Sequence, residues 1–264
     1  MKTALISLNS VWEDKKANLL EIAKKLDYLK SQQVDYVVFP EMTLTGFSVN
    51  NLSLAEDIDD SETIKAFQDF AKEYELNIIF GLITTCKDKI CNTCCAINSK
   101  GDVQSLYNKI HLFSYSDEHK LFNNGKYTQS ISWEGGWGLS ICFDLRFPEL
   151  YQELSEENLI LVNIANWPKQ RVSHWKTLLN ARAIENQSFI IGVNRVGIDG
   201  NNLEYEESSY VFSPEGMALI PEVIEGDIKI FDINIQHAID YRTKFSIKKD
   251  RQPTLYKTFY DKAK

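Results

Sequence analysis

Two near-continuous apolar runs, LILVNI (Leu159–Ile164) and FIIGV (Phe189–Val193), bracket a stretch in which Trp175, Leu178, Leu179, Arg182, Ala183 and Asn186 recur at helical spacing. A strand that is apolar on both sides needs cover on both faces, so these runs predict a sheet packed between other layers. Most of the helical stripe is then core, which leaves Arg182 and Asn186 in need of buried polar partners. The same alternation of strand and helix runs through the earlier part of the chain. ALISL (Ala4–Leu8) precedes a helical pattern on Leu19, Ile22, Ala23 and Leu26, and the β-branched and aromatic run YVVFP (Tyr36–Pro40) stops at its proline. Ser61 is placed to cap a helix whose apolar face is Ile64, Phe67, Phe70, Ala71 and Tyr74, and NIIFGL (Asn77–Leu82) follows as a strand. From Ser208 to Ile235 the chain is strand-rich, with SSYVF, MALI and DIKIFDINI separated by turn residues. No linker, repeat or composition break interrupts the 264 residues, so residues 1–264 are expected to form a single α/β domain.

The formal net charge of −8 disfavours nucleic acid or an anionic membrane surface as a partner, and it means that an anionic ligand would need a local cationic pocket. No apolar run approaches the length of a membrane span, and the short apolar run at ALISL ends at Asn9, too early for a signal peptide. The cysteines are Cys86, Cys91, Cys94, Cys95 and Cys142. Their odd number and the lack of an export signal predict free thiols in a cytoplasmic protein. Cys91, Cys94 and Cys95 form C-x-x-C-C without a second Cys or His pair at zinc spacing; they read as structural cysteines, and neither a metal nor a cofactor is expected. The Gly-rich EGGWG (Glu134–Gly138) precedes a strand, so it is not a phosphate loop.

Three segments far apart carry an acid/base, a cation and a nucleophile: FPEMTLTGF with Glu41, YNKIHLF with Lys109 and LSICFDLRFPEL with Cys142. GLSIC reads as a strand ending at Cys142, and RFPEL as a helix start with Pro148 in its first turn, where its missing N–H costs nothing. A cysteine on such a turn is exposed, and backbone N–H groups beside it can face an oxyanion. Taken singly, Cys142 reads as a buried strand-end thiol, Glu41 as a solvated loop residue and Lys109 as a snorkelling side chain. Taken together, all three follow predicted strands, and α/β folds build their sites at strand C-terminal ends. No histidine lies within twenty positions of Cys142, so a Cys–His pairing has no local support and a carboxylate is the expected base. A neighbouring ammonium is expected to lower the thiol's pKa.

These segments, with NWP (Asn166–Pro168), HWKTLLNARAIENQ (His174–Gln187) and SSYVFSPEG (Ser208–Gly216), resemble the nitrilase superfamily of carbon–nitrogen hydrolases over nearly the full chain. The resemblance implies a four-layer αββα sandwich and a Glu–Lys–Cys triad. Glu41 would be general base then acid, Lys109 the oxyanion stabiliser and Cys142 the nucleophile. Glu118 would be a supporting second glutamate. The backbone N–H of Phe143 would join the oxyanion site, Phe47 and Trp167 would wall the pocket, and Arg171 would meet a substrate carboxylate. Arg195 and Arg146 are further candidate cations, and Arg146 also reads as a partner for Asp144 or a helix end. The short His111–Gly125 segment and ICFDLRFPEL are similar to the bacterial omega-amidase branch, which implies hydrolysis of the terminal amide of 2-oxoglutaramate or 2-oxosuccinamate. Phe143-Asp144 does not match the tryptophan-glutamate that follows the cysteine in true nitrilases. The alternatives are the same chemistry on deaminated glutathione or an N-carbamoyl amino acid, and a non-catalytic scaffold on the same fold. The resemblance also implies a homodimer paired through the helices after Cys142 and near Trp175, with a small-molecule amide as the only other partner.

Overall fold

Ala4 and Ile6 of the first strand pack into one apolar cluster, while Leu5 between them packs into another. That period of two repeats along the sheets and sets the layers apart. The computed structural model describes residues 1–87 and 89–262. β1 (Lys2–Ile6), β2 (Tyr36–Val38), β3 (Asn77–Cys86), β4 (Lys89–Ile97) and β5 (Val103–Asn108) join β13 (Val223–Glu225) and β14 (Ile228–Asp232) in a seven-stranded sheet ordered β13-β14-β1-β2-β3-β4-β5. A five-stranded sheet contains β6 (Ser130–Ile131), β7 (Trp137–Ile141), β8 (Ile160–Ala165), β9 (Phe189–Asn194) and β12 (Tyr210–Phe212), ordered β12-β9-β8-β7-β6. β10 (Gly197–Ile198) and β11 (Glu204–Tyr205) pair in a small ribbon beside it.

The helices are α1 (Lys15–Ser31), α2 (Glu62–Tyr74), α3 (Glu118–Leu121), α4 (Pro148–Leu154), α5 (Val172–Asn186), α6 (Ile235–Lys244) and α7 (Pro253–Lys262). Ile22, Leu26 and Leu29 of α1 and Ile64, Phe67 and Ala71 of α2 cover the outer face of the first sheet. Leu150 and Leu154 of α4 and Trp175, Leu179 and Ala183 of α5 cover the outer face of the second. Between the sheets, Leu5, Val38, Ile79, Cys94 and Tyr107 meet Trp137, Leu139, Ile141, Val162 and Val193. This is the αββα sandwich.

Local signals act as read. Ser61 Oγ accepts from Ile64 N at 3.0 Å and starts α2, and Pro148 opens α4. Arg182 and Asn186 find their partners: Arg182 donates twice to the Leu145 carbonyl, and Asn186 bridges Ser155 Oγ and the Arg182 carbonyl. Three expectations fail. MALI is not a strand but exposed chain tied by a single bridge, Phe212 to Ala218, whereas Val223–Glu225 does form a short edge strand. The predicted free thiols are wrong for Cys86 and Cys91, which are bonded to each other. They lie on adjacent strands of the β3–β4 hairpin with Cα atoms 5.8 Å apart, inside the span a disulfide bridges. Cys94 and Cys95 are free and buried on opposite faces of β4. Arg146 is not the partner of Asp144, as described next.

Candidate active site

β2, β5, β7 and β8 all point their C-terminal ends at one place, and the residue that matters follows each end directly or after a short turn. Past β2 the chain turns through residues 41–45 and carries Glu41, which is 1% exposed. The turn hangs on β3: Phe39 N donates to Ile79 O, Thr43 N to Gly81 O, and Gly81 N to Thr43 Oγ1. Past β5 comes Lys109, fully buried, its backbone N–H held by Asn92 O at 2.9 Å. Past β7 comes Cys142, at the start of a 3₁₀ turn, with φ +46°. A side chain at positive φ is uncommon and strained, and here it turns the sulfur toward the cavity.

The buried charges form a closed set. Lys109 Nζ lies 3.0 Å from Glu41 Oε1, 3.2 Å from Glu118 Oε1 and 3.0 Å from Glu118 Oε2. Glu118, at the start of α3, is fully buried and also accepts from Phe113 N at 2.6 Å. Glu41 Oε2 accepts from Asn166 N at 2.9 Å, and Asn166 Nδ2 holds the Glu41 carbonyl at 2.7 Å. The Asn166 carbonyl is in turn 3.9 Å from Cys142 Sγ. Two carboxyl groups thus stand around one ammonium. Burial alone would pull Lys109 down, but Glu118 and Glu41 outweigh it and hold the ammonium well above its ordinary range. Burial, then the Glu41 carboxylate, pushes the Cys142 thiol well above its usual value, and Lys109 only partly opposes them. Lys109 thus acts in the expected direction, but burial and the Glu41 carboxylate outweigh it and the net shift is upward.

Asp144 organises the turn after Cys142. Its Oδ2 accepts from Ile141 N at 2.9 Å and Tyr107 Oη at 2.7 Å, and its Oδ1 accepts from His111 N at 2.9 Å and meets His111 Nδ1 at 2.8 Å. Arg146 instead lies 4.9 Å over the Trp167 ring and on the cavity wall. Arg195 is buried, donating to the Ser10 and Val196 carbonyls, so it does not reach the cavity.

The cavity above Cys142 has a volume of about 280 Å³. Phe47, Phe143, Trp167 and Tyr205 are among its walls, and Arg146 and Arg171 stand on it together. Burial, then the Arg171 charge, pushes Arg146 down, which marks two cations sharing one space. Neither has a carboxylate partner among the described residues. Of the residues singled out from sequence, Glu41, Lys109, Glu118 and Cys142 come together, and Phe47, Phe143, Trp167 and Arg171 line the space above them. Asn92, Asp144 and Tyr205 were not foreseen as part of this site, and Asn166 was seen only as part of a motif. Its position directly after β8 follows the same strand-end rule that flags Glu41.

The αββα layers thus enclose a buried Glu–Lys–Glu cluster beside a cysteine. Residues 2–242 match the family model for carbon–nitrogen hydrolases, and the chain belongs to that family: it is an enzyme that hydrolyses carbon–nitrogen bonds. Among curated relatives, "Hydrolase in agr operon" of Staphylococcus aureus is 32% identical over 97% of this chain and 100% of its own length. Omega-amidase YafV of Escherichia coli K12 is 32% identical, covering 93% of this chain and 94% of the relative. The 2-oxoglutaramate amidase of Bacillus subtilis is 31% identical, covering 89% and 93%. Among solved structures, XC1258 from Xanthomonas campestris, a CN-hydrolase superfamily protein with an arsenic adduct in its active site, superposes with a TM-score of 0.88 at 28% identity, covering 96% of this chain and 97% of that one.

Proposed function

We propose that this enzyme hydrolyses the terminal carboxamide of a small omega-amido acid, of the 2-oxoglutaramate or 2-oxosuccinamate kind, to the acid and ammonia. One observation carries the reading: two guanidinium groups without carboxylate partners among the described residues, Arg146 and Arg171, share the cavity over Cys142. A substrate carboxylate on this pair would lay its amide end toward the sulfur, between aromatic walls. In a protein of net charge −8 such a local cationic patch calls for an anion. The names of the omega-amidase and 2-oxoglutaramate amidase relatives point the same way.

The geometry supports the following roles. The thiol is neutral at rest, so it needs a base as it attacks, and Glu41 takes its proton. The sulfur bonds to the amide carbon and the carbonyl electrons move onto oxygen, where the Lys109 ammonium and the Phe143 N–H stabilise them. The intermediate collapses, the carbon–nitrogen bond breaks, and Glu41 returns the proton to the leaving ammonia. A thioester remains. Glu41 then takes a proton from water, hydroxide adds to the thioester, and the acid leaves as the proton returns to sulfur. Glu118 keeps Lys109 charged and in place throughout.

An ammonia-release panel tests the reading, with 2-oxoglutaramate, 2-oxosuccinamate, glutamine, asparagine, deaminated glutathione, an N-carbamoyl amino acid and a nitrile. The 2-oxo amides should give the highest kcat/KM. Cys142→Ala should abolish turnover with unchanged circular dichroism. Strong preference for another member of the panel would replace the substrate, and substantial turnover by Cys142→Ala would remove the nucleophile.

A further inference from the structure

We infer that Asn92 is a positioning residue for this site, an uncharged second bridge between the Glu41 and Glu118 carboxylates that holds Glu41 in place and ionised for proton exchange with Cys142. The inference rests on the reading of Glu41 as the base.

Asn92 is fully buried in the middle of β4, opposite Ile83 of β3. Its Nδ2 lies 2.7 Å from Glu41 Oε1 and 2.9 Å from Glu118 Oε1. Lys109 Nζ meets the same two oxygens at 3.0 and 3.2 Å. The two carboxylate oxygens and the two nitrogens therefore make a closed four-atom ring. The ammonium bridges one side with charge, and the carboxamide bridges the other with its two N–H bonds, one for each carboxylate. Only one amide orientation is open, because the flipped one would turn a carbonyl oxygen on two carboxylates. That orientation leaves Oδ1 buried without a partner among the described residues. A leucine here would fill nearly the same volume without an orphaned acceptor. The donors explain the amide better than packing does.

The consequence concerns Glu41. Its Oε1 is held by Lys109 and Asn92, and its Oε2 by the Asn166 N–H at 2.9 Å and Asn166 Nδ2 at 3.3 Å, so Asn92 supplies one of the four bonds that fix the carboxylate beside the sulfur. Asn92 also accepts the Lys109 backbone N–H, so one residue registers the cation and both carboxylates. Both of its side-chain N–H groups are taken by the two carboxylates, so it acts through Glu41 and Lys109.

The test uses Asn92→Leu, which keeps volume and removes both donors, and Asn92→Ser, which keeps one short donor. Thr84→Val is the control. Thr84 is equally buried in the same hairpin and bonds Thr93, but touches neither carboxylate. Two readouts are taken on the full chain: kcat and KM for the best amide, and the pH dependence of Cys142 alkylation by iodoacetamide, followed by mass spectrometry of the Cys142 peptide. A carboxylate that loses donors holds its proton more tightly. In Asn92→Leu the acid limb of the alkylation profile should move up by about half to one pH unit. Its kcat should fall roughly 10- to 100-fold, less than the loss of a direct oxyanion donor, with KM within about two-fold. Asn92→Ser should lie between, and it decides if Asn92→Leu does not fold. Thr84→Val should lose stability and keep its acid limb. A folded Asn92 variant with wild-type kcat and an unmoved limb overturns the inference, and so does a Thr84→Val limb that moves as far. The alkylation arm needs no substrate, so it still decides if the proposed amides turn out to be wrong.

Discussion

At the scale of the residue, Cys142, the proposed nucleophile, owes its place to an acid two positions away. Cys142 sits at positive φ, and the turn that holds it there is tied by Asp144 to β7, to Tyr107 and to His111. Both Asp144 oxygens face two donors, one set including the His111 ring nitrogen, which makes His111 Nδ1 the protonated nitrogen. An amide in place of this carboxylate must turn its NH₂ on one pair of donors whichever way it is flipped. Asp144→Asn should therefore lower stability by about 2–4 kcal/mol, the range for breaking a buried hydrogen-bond network. Urea unfolding measures the loss. Because the turn also carries the Phe143 N–H, kcat should drop with it, whereas a merely local role for Asp144 would leave turnover per folded molecule unchanged.

At the scale of the element, strand β3 is the shelf on which Glu41 rests, and Gly81 is where the two come closest. A Cβ at Gly81 would fall 2.4 Å from Met42 N and 2.8 Å from the Glu41 Cα, backbone atoms that cannot swing aside. Gly81→Ala should keep the sheet, whose register is fixed by nine β3–β4 pairs, yet displace the Glu41 turn. An expected fall in kcat/KM of at least about 10-fold with near-native circular dichroism follows from how steeply catalysis depends on a misplacement of about 1 Å. Unchanged kcat/KM would show that the turn is not held by this contact. The strands themselves were legible because apolar alternation and strand-end prolines are local signals, and the Ser61 cap was legible for the same reason. Met217–Ile220 misled because apolar letters do not imply burial: Ile220 is 89% exposed. Glu41, Lys109 and Cys142 could be picked out because each follows a strand. Asn92 could not, since it looks like any polar residue in CNTCC and its contacts lie 51 and 26 positions away. Sequence proximity points Asp144 toward Arg146, while its donors are Tyr107 of β5, His111 just after it and the Ile141 N–H of β7.

At the scale of the whole molecule, the site lies where the two sheets meet, so its rigidity depends on both outer helical layers. One of those layers carries apolar surface left uncovered in the single chain. Leu255 and Phe259 of α7 are 50% and 54% exposed, and Tyr260 reaches α4 through Glu149 Oε1. A groove lined by residues of α4, the end of α5 and α7 runs beneath them. We propose that a second copy of the chain covers this face, the homodimer that the resemblance implies. α4 begins two residues beyond the 3₁₀ turn that opens with Cys142, so covering it would brace that turn as well as hide the apolar residues. Light scattering on the purified chain should give twice 30.4 kDa. Phe259→Glu places a charge in the apolar contact, should shift the mass toward 30.4 kDa, and should lower thermal stability in a concentration-dependent way. A wild-type mass of 30.4 kDa at tens of micromolar would sink the dimer, and a Phe259→Glu variant that stays dimeric would move the interface to another face.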